Sequence, residues 1–376
     1  MNIKQLYYFF IFVFITFFPY TIIPFKIKIF IFEFVLLLMT FLFLLLRTDV
    51  FLKLRKFEIF YLLYFLFQII FIWRYQFVLR ELFGLHIILY SYLFMIIFSN
   101  LQFDKKVLIK YLTLSYMFFA IVVLFLIVTY NGGTHKIITF LGKSNYLASI
   151  LLIPVGYIGV FLFNGIKNYL YIFTFIISSV DIVLLKSRTA TLVLALYLFM
   201  GLFLKLSKIY RVLLIVFFAA IFYFIRENIF LLLTDVENDY NVLLRVIIWQ
   251  DYIHVFLEHI YIGIGLQQVL TNITTFGSHL VGFTQAHNFI LQIFAESGIV
   301  GFSLFFLFLY TLFRFIIKKK NDIYTFPLIG VLIVVLLHGL AEPNLTGKLF
   351  SIYFFMTIGI FTNKQTILKK DDYAKI

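Results

Sequence analysis

Residues 230–298 hold Asp235, Glu237, Asp239, Asp251, Glu258 and Glu296, and no lysine. Arg245 is the single strong cation in that stretch, accompanied by His254, His259, His279 and His287. A guanidinium stays charged at any working pH and grips phosphate or carboxylate oxygens in pairs. Arg245 therefore either pairs with Asp239 or Asp251, a surface bridge of small worth, or holds an anionic ligand. The segment 241–258 reads NVLLRVIIWQDYIHVFLE. Arg245, Trp249 and Tyr252 recur at i, i+4 and i+7 and share one helical face. Trp and Tyr favour the headgroup level, so this reads as a helix lying in a membrane interface. Trp249 and Tyr252 then flank whatever Arg245 binds.

A second constellation is His287-Asn288, followed by Gly298 and Gly301. An imidazole titrates near neutrality and can take a proton from a hydroxyl. Glycines at that spacing permit a close turn and close helix packing. Further cations stand at the ends of apolar runs: Arg74, Arg80, Lys143 before Ser144-Asn145, and Arg188 in Lys186-Ser187-Arg188. Asp181 precedes that last group and is expected to pair with Lys186 or Arg188. The alternative is that Arg188 faces an anionic ligand. Lipid headgroups are the plain partners for such cations.

The elements that carry these residues follow from composition. Apolar residues make up 64%, aromatics 22% and charged residues 13% of 376 residues. A soluble chain of this size could not cover 54 Phe and 25 Tyr, so a soluble enzyme is excluded. With no cysteine there is no disulfide framework, thiol nucleophile or zinc–thiolate site. Twelve apolar runs of roughly spanning length fall near 5–23, 27–46, 57–73, 81–99, 107–130, 145–163, 169–185, 189–204, 212–229, 299–317, 323–341 and 347–362. Asn164-Gly165 closes a tight turn after the sixth, and Pro154 is expected to kink that span. Placing both termini in the cytoplasm puts most of the 31 Lys and Arg on the inner side, as the positive-inside rule requires. The net charge of +14 is thus topological and implies no nucleic acid. Residues 230–298 become one large outward loop between spans nine and ten, within a single integral membrane domain, 1–376.

The chain resembles the O-antigen polymerase/ligase family. The likeness rests on the twelve-span plan with its outer loop, Ser187-Arg188 opening the eighth span, Arg245 with Trp249, Gly263-Ile264-Gly265, and His287-Asn288 with Gly298 and Gly301. The chain departs in reading His259-Ile260-Tyr261 where the family often has proline before Gly-x-Gly. The resemblance implies an all-α polytopic, GT-C-like fold in the bacterial inner membrane, with its active site on the periplasmic face. It implies metal-independent, cofactor-free, inverting glycosyl transfer from a glycan on undecaprenyl diphosphate to a lipid-linked acceptor. Arg188 and Arg245 match positions that grip the diphosphate. His287 matches the base or acceptor-positioning residue. Asn288, Trp249, Tyr252, Arg74, Arg80 and Lys143 are the substrate-binding candidates, and a chain-length regulator is an expected partner.

A polymerase that extends lipid-linked repeat units is the leading reading, favoured by association with chains rich in Phe, Ile, Tyr and Lys. A ligase delivering to lipid A-core shares donor and motifs. A flippase of the same lipids would also want outward cations, but should show a cationic cavity within its bundle. A passive scaffold would explain none of those cations.

Overall fold

A computed structural model describes residues 54–72, 79–101, 104–129, 138–139, 142–213, 216, 240–269 and 285–364. Ten α-helices occupy them: α1 Lys56–Ile70, α2 Leu79–Asn100, α3 Lys105–Val128, α4 Ser144–Phe163, α5 Tyr169–Leu184, α6 Arg188–Lys205, α7 Tyr240–Glu258, α8 Phe289–Lys318, α9 Leu328–Gly339 and α10 Lys348–Phe361. A two-rung antiparallel ladder, Ile138–Thr139 with Gly142–Lys143, is the one departure from helix among these named elements. Helices α3, α4, α6 and α8 are long and apolar enough to cross a membrane, and α5, α9, α10 and residues Gly84–Asn100 of α2 are shorter apolar helices. Nine of the twelve expected spans overlap helices, α1–α6 and α8–α10, and four of these helices are long and apolar enough to cross a membrane. The two at 5–23 and 27–46 lie outside the described residues, as does most of 212–229.

Local chemistry sets the helix ends. Asp104 accepts from Lys106 N at 2.8 Å to start α3, and Asn168 accepts from Leu170 N at 2.9 Å to start α5. These bonds satisfy donors that a first helical turn leaves open. After α4 the expected turn is a Schellman closure, with Ile166 N donating to Phe161 O at 2.9 Å and Gly165 at φ +80. Pro154 lies inside α4 without ending it.

The core is one continuous apolar cluster, with buried rings such as Tyr61, Tyr116, Phe308 and Tyr353. Helix α10 packs along α2, α8 along α1, and α9 along α4. At Gly156 and Gly330 the backbones of α4 and α9 touch, and a Cβ on Gly330 would meet Gly156 O at 2.1 Å. Small residues permit that approach where no hydrophobic drive exists between lipid-bathed helices.

The decisive local feature is a break in α8 at Gly298, φ +61 and ψ −170. A continuous helix would bond Ile299 N to Ala295 O and Val300 N to Glu296 O. Instead Ile299 N donates to Ile260 O (2.8 Å) and Val300 N to Tyr261 O (3.1 Å). The released carbonyls of Ala295 and Glu296 accept from Ile264 N and Gly265 N, both at 3.0 Å. Residues 260–265 thus replace both sides of two missing helical bonds, which a low-dielectric site demands. Gly263, φ +69, makes room: a Cβ there would lie 2.4 Å from Ser297 N. The two glycine motifs, read separately in the sequence, are one structural unit.

Gly298→Ala is therefore expected to lower stability by about 1–3 kcal/mol, the usual cost of a strained non-glycine backbone. A fall in the thermal midpoint of the detergent-purified protein checks this. An unchanged midpoint would mean that the exchange does not need glycine.

Candidate active site

Helices α4, α6, α8 and α10 start at the same end of the bundle that carries the C-terminal end of α9. Their positive dipole ends gather there. Into this setting α7 brings Arg245, the N-terminal flank of α8 brings His287, and the turn after α9 brings Glu342.

Glu342 joins them. Its Oε1 accepts from Arg245 Nη2 at 3.0 Å and from Asn145 Nδ2 at 2.5 Å, and its Oε2 accepts from His287 Nδ1 at 3.1 Å. The side chain is 10% exposed, against 28% for Arg245 and 30% for His287. The carboxylate is the buried hub, and the cations face outward. Burial works to raise its pKa. The hydrogen bond from His287, with the charges of His287, Arg245 and His338, outweighs burial and brings it below the ordinary carboxylate value. Glu342 is therefore ionised, and an ionised carboxylate can only accept. The His287 ring proton accordingly sits on Nδ1 when the ring is neutral, and Nε2 keeps its lone pair for a ligand.

His287 itself stands at φ +50, in the left-handed region that costs a non-glycine residue. The two other described non-glycine residues with positive φ are Lys186 (φ 54), two residues before Arg188, and Gln267 (φ 58). Strain of this kind collects at functional sites when the surroundings over-determine it. Asn288 caps α8, its Oδ1 accepting from Ile290 N at 2.9 Å and Leu291 N at 3.2 Å. Trp249 Nε1 donates to Ala286 O at 2.8 Å, the carbonyl just before His287.

Several expectations change. Arg245 pairs with Glu342, 97 positions along the chain, a partner that was not expected. Asp239 lies outside the described residues. Tyr252 is 1% exposed within a small cluster with Ile248, Val255 and Ile264, so it seats α7 and offers no surface to a ligand. Trp249 braces the His287 loop through its bond to Ala286 O. Asp181 is fully buried and makes no hydrogen bond, so the expected pairing with Lys186 or Arg188 does not form. Arg188 is the exposed first residue of α6, and Lys143 is the exposed residue before α4. Arg80 falls in the first turn of α2, and Arg74 lies outside the described residues.

Glu342 and Asn145 were not singled out as site residues from the sequence. One signal was available: Glu342 is the single carboxylate between α9 and α10, at the end of an apolar run where a charge needs a partner. Beside the site a pocket lined by Tyr64, Gly84, Phe289, Ile293, Leu345 and Phe355 opens into the apolar bundle, with Glu296 on its wall.

Residues 173–306 match the family model Wzy_C, described as O-antigen ligase. No curated protein matches the chain. The matched stretch contains Arg188, Arg245, His287 and both glycine motifs, and this match supports the O-antigen polymerase/ligase family. Together with the apolar helices, the match supports a membrane protein of transferase class. Glu342 and Asn145 lie beyond the match, and the fold brings them to it.

The Glu342 carboxylate gives a signed pH dependence. Its folded pKa is depressed, so its contribution to stability is full above the ordinary value of 4.5 and is lost as pH falls through the lower folded value. The stability gap between the parent and Glu342→Gln should be constant above pH 4.5 and close on acidification below it. Chemical denaturation of both proteins over that range measures it. A gap that widens in acid would contradict the ionised hub.

Proposed function

We propose that the chain is a bacterial surface-polysaccharide polymerase, acting on O-antigen or capsule repeats. It transfers a glycan from undecaprenyl diphosphate to the next lipid-linked repeat unit, without a metal ion. In this reading it lies in the inner membrane with both termini cytoplasmic and the site facing the periplasm. The observation that carries it is the Arg245–Glu342–His287 arrangement, set among helix N-termini.

The leaving group is a lipid diphosphate whose negative charge grows as the glycosidic bond breaks. Arg245 spends one Nη on Glu342 and has further donors of its guanidinium for phosphate oxygens. Arg188 and Lys143 stand exposed at two helix N-termini, where backbone N–H groups and dipole also favour an anion. Such donors, fixed before the reaction, stabilise charge as it develops. The acceptor is a sugar hydroxyl. His287 Nε2 takes its proton while Glu342 steadies the imidazolium that forms. The apolar pocket, reached through Phe289 and Leu345, offers a place for isoprenoid carbons next to the charged head.

The second reading is an O-antigen ligase, which the description of the matching family favours. It uses the same donor and the same residues and differs in the acceptor, lipid A-core. The glycan profile of a deletion strain separates the two. Lipid capped with a single repeat unit indicates a polymerase, and long chains held on the carrier indicate a ligase. Repeat units trapped on the inner leaflet would instead indicate a flippase and overturn both.

Arg245→Ala and Arg188→Ala should insert normally and leave glycans at one repeat unit on a gel. A full ladder from both would contradict the diphosphate grip. His287→Ala should slow transfer by about 10²–10⁴-fold, the range of general-base catalysis, while donor binding stays largely intact.

A further inference from the structure

His287 is held in a left-handed backbone, and the side chains that fix the residue before it come from α8 and α7. Ala286 is fully buried. Its N–H donates to Gln292 Oε1 at 3.0 Å, and its carbonyl accepts from Trp249 Nε1 at 2.8 Å. The residue preceding His287 is therefore fixed on both sides. Gln292 Nε2 in turn donates to Glu296 Oε1, one helical turn on. The same oxygen accepts from Gln267 N at 2.9 Å, and Gln267 is itself a left-handed residue. The backbone of Glu296 also joins the exchange at the α8 break, through Gly265 N.

Gln292 and Glu296 are 1% and 4% exposed and, with Gln267, are the polar part of a largely apolar pocket. Polar groups so buried are costly unless every bond is made. Here the bonds form one connected chain that links the kink at Gly298 to the residue before His287. We propose that Gln292 and Glu296 are positioning residues for His287, a relay that presents its Nε2 to the acceptor hydroxyl. The proposal rests on His287 acting as the base described above. Neither side chain touches substrate in this scheme. Both act through the backbone of the loop, while Glu342 acts on the ring.

The test uses the purified full chain in nanodiscs, with the single-repeat lipid from a deletion strain as donor and acceptor. Gln292→Leu and Glu296→Ala should lower turnover about 10–100-fold, within the span of a misplaced general base, and change the KM for that lipid by less than about threefold. Glu296→Gln should restore turnover, because an amide oxygen can accept both bonds that Glu296 Oε1 accepts. In a double-variant cycle, Gln292→Leu should add no loss to His287→Ala, since both remove one function. Unchanged turnover in Gln292→Leu and Glu296→Ala would overturn the relay. A loss that multiplies with His287→Ala would do the same, showing a structural role. Should Gln292→Leu fail to insert, the Glu296→Ala and His287→Ala cycle carries the comparison. Full turnover in His287→Ala alone removes the base assignment, and the relay with it. A slow His287→Ala beside a fast Gln292→Leu removes only the relay.

Discussion

A carboxylate buried at the mouth of an apolar bundle has to find cations or donors, and Glu342 finds them on three separate segments. Arg245 comes from α7, His287 from the flank of α8 and Asn145 from the start of α4. Removing a charge from water is expensive, and breaking a buried pair by deleting one partner is more damaging than never having built it. The pairing therefore fixes where the outer segment sits on the bundle. It also fixes which imidazole nitrogen carries the proton. One interaction thus sets both the assembly of the site and its protonation state.

The second constraint is the backbone exchange at Gly298. Helix α8 cannot run unbroken from the site into the bundle, because its break is where residues 260–265 attach. The carbonyls and N–H groups freed by the break would be intolerable in an apolar setting without substitutes. The loop supplies them at the correct spacing, and α7, which ends at Glu258, is thereby tied to the first turns of α8. Arg245 and His287 come from these two linked elements. Ion pair and exchange act together: one aligns side chains, the other aligns the backbones that bear them.

At the opposite end, polar contacts tie the bundle together. Lys105 Nζ donates to Thr325 Oγ1 at 2.5 Å and to Asp322 Oδ2 at 3.3 Å, and Asn363 Nδ2 reaches Phe98 O and Leu101 O. These tie loop to helix between segments far apart in the chain. The positive-φ residues His287 and Lys186 lie elsewhere, beside α8 and α6.

The sequence determined the helical membrane class, because runs of apolar residues of spanning length have few other outcomes. It marked the turn after α4 at Asn164-Gly165, whereas the caps at Asp104 and Asn168 emerged with the structure. It also marked Arg188, Arg245 and His287, since isolated cations in acidic or outward segments need a reason. It could not show that Arg245 pairs with Glu342, that Tyr252 is buried, or that the buried Asp181 carboxylate makes no hydrogen bond. Those outcomes depend on which segments meet across the bundle, and partners 55 and 97 positions apart carry no local periodicity to read. The two glycine motifs show the same division. Each was visible as a permissive backbone, and only the packing of residues 260–265 on α8 made them one joint.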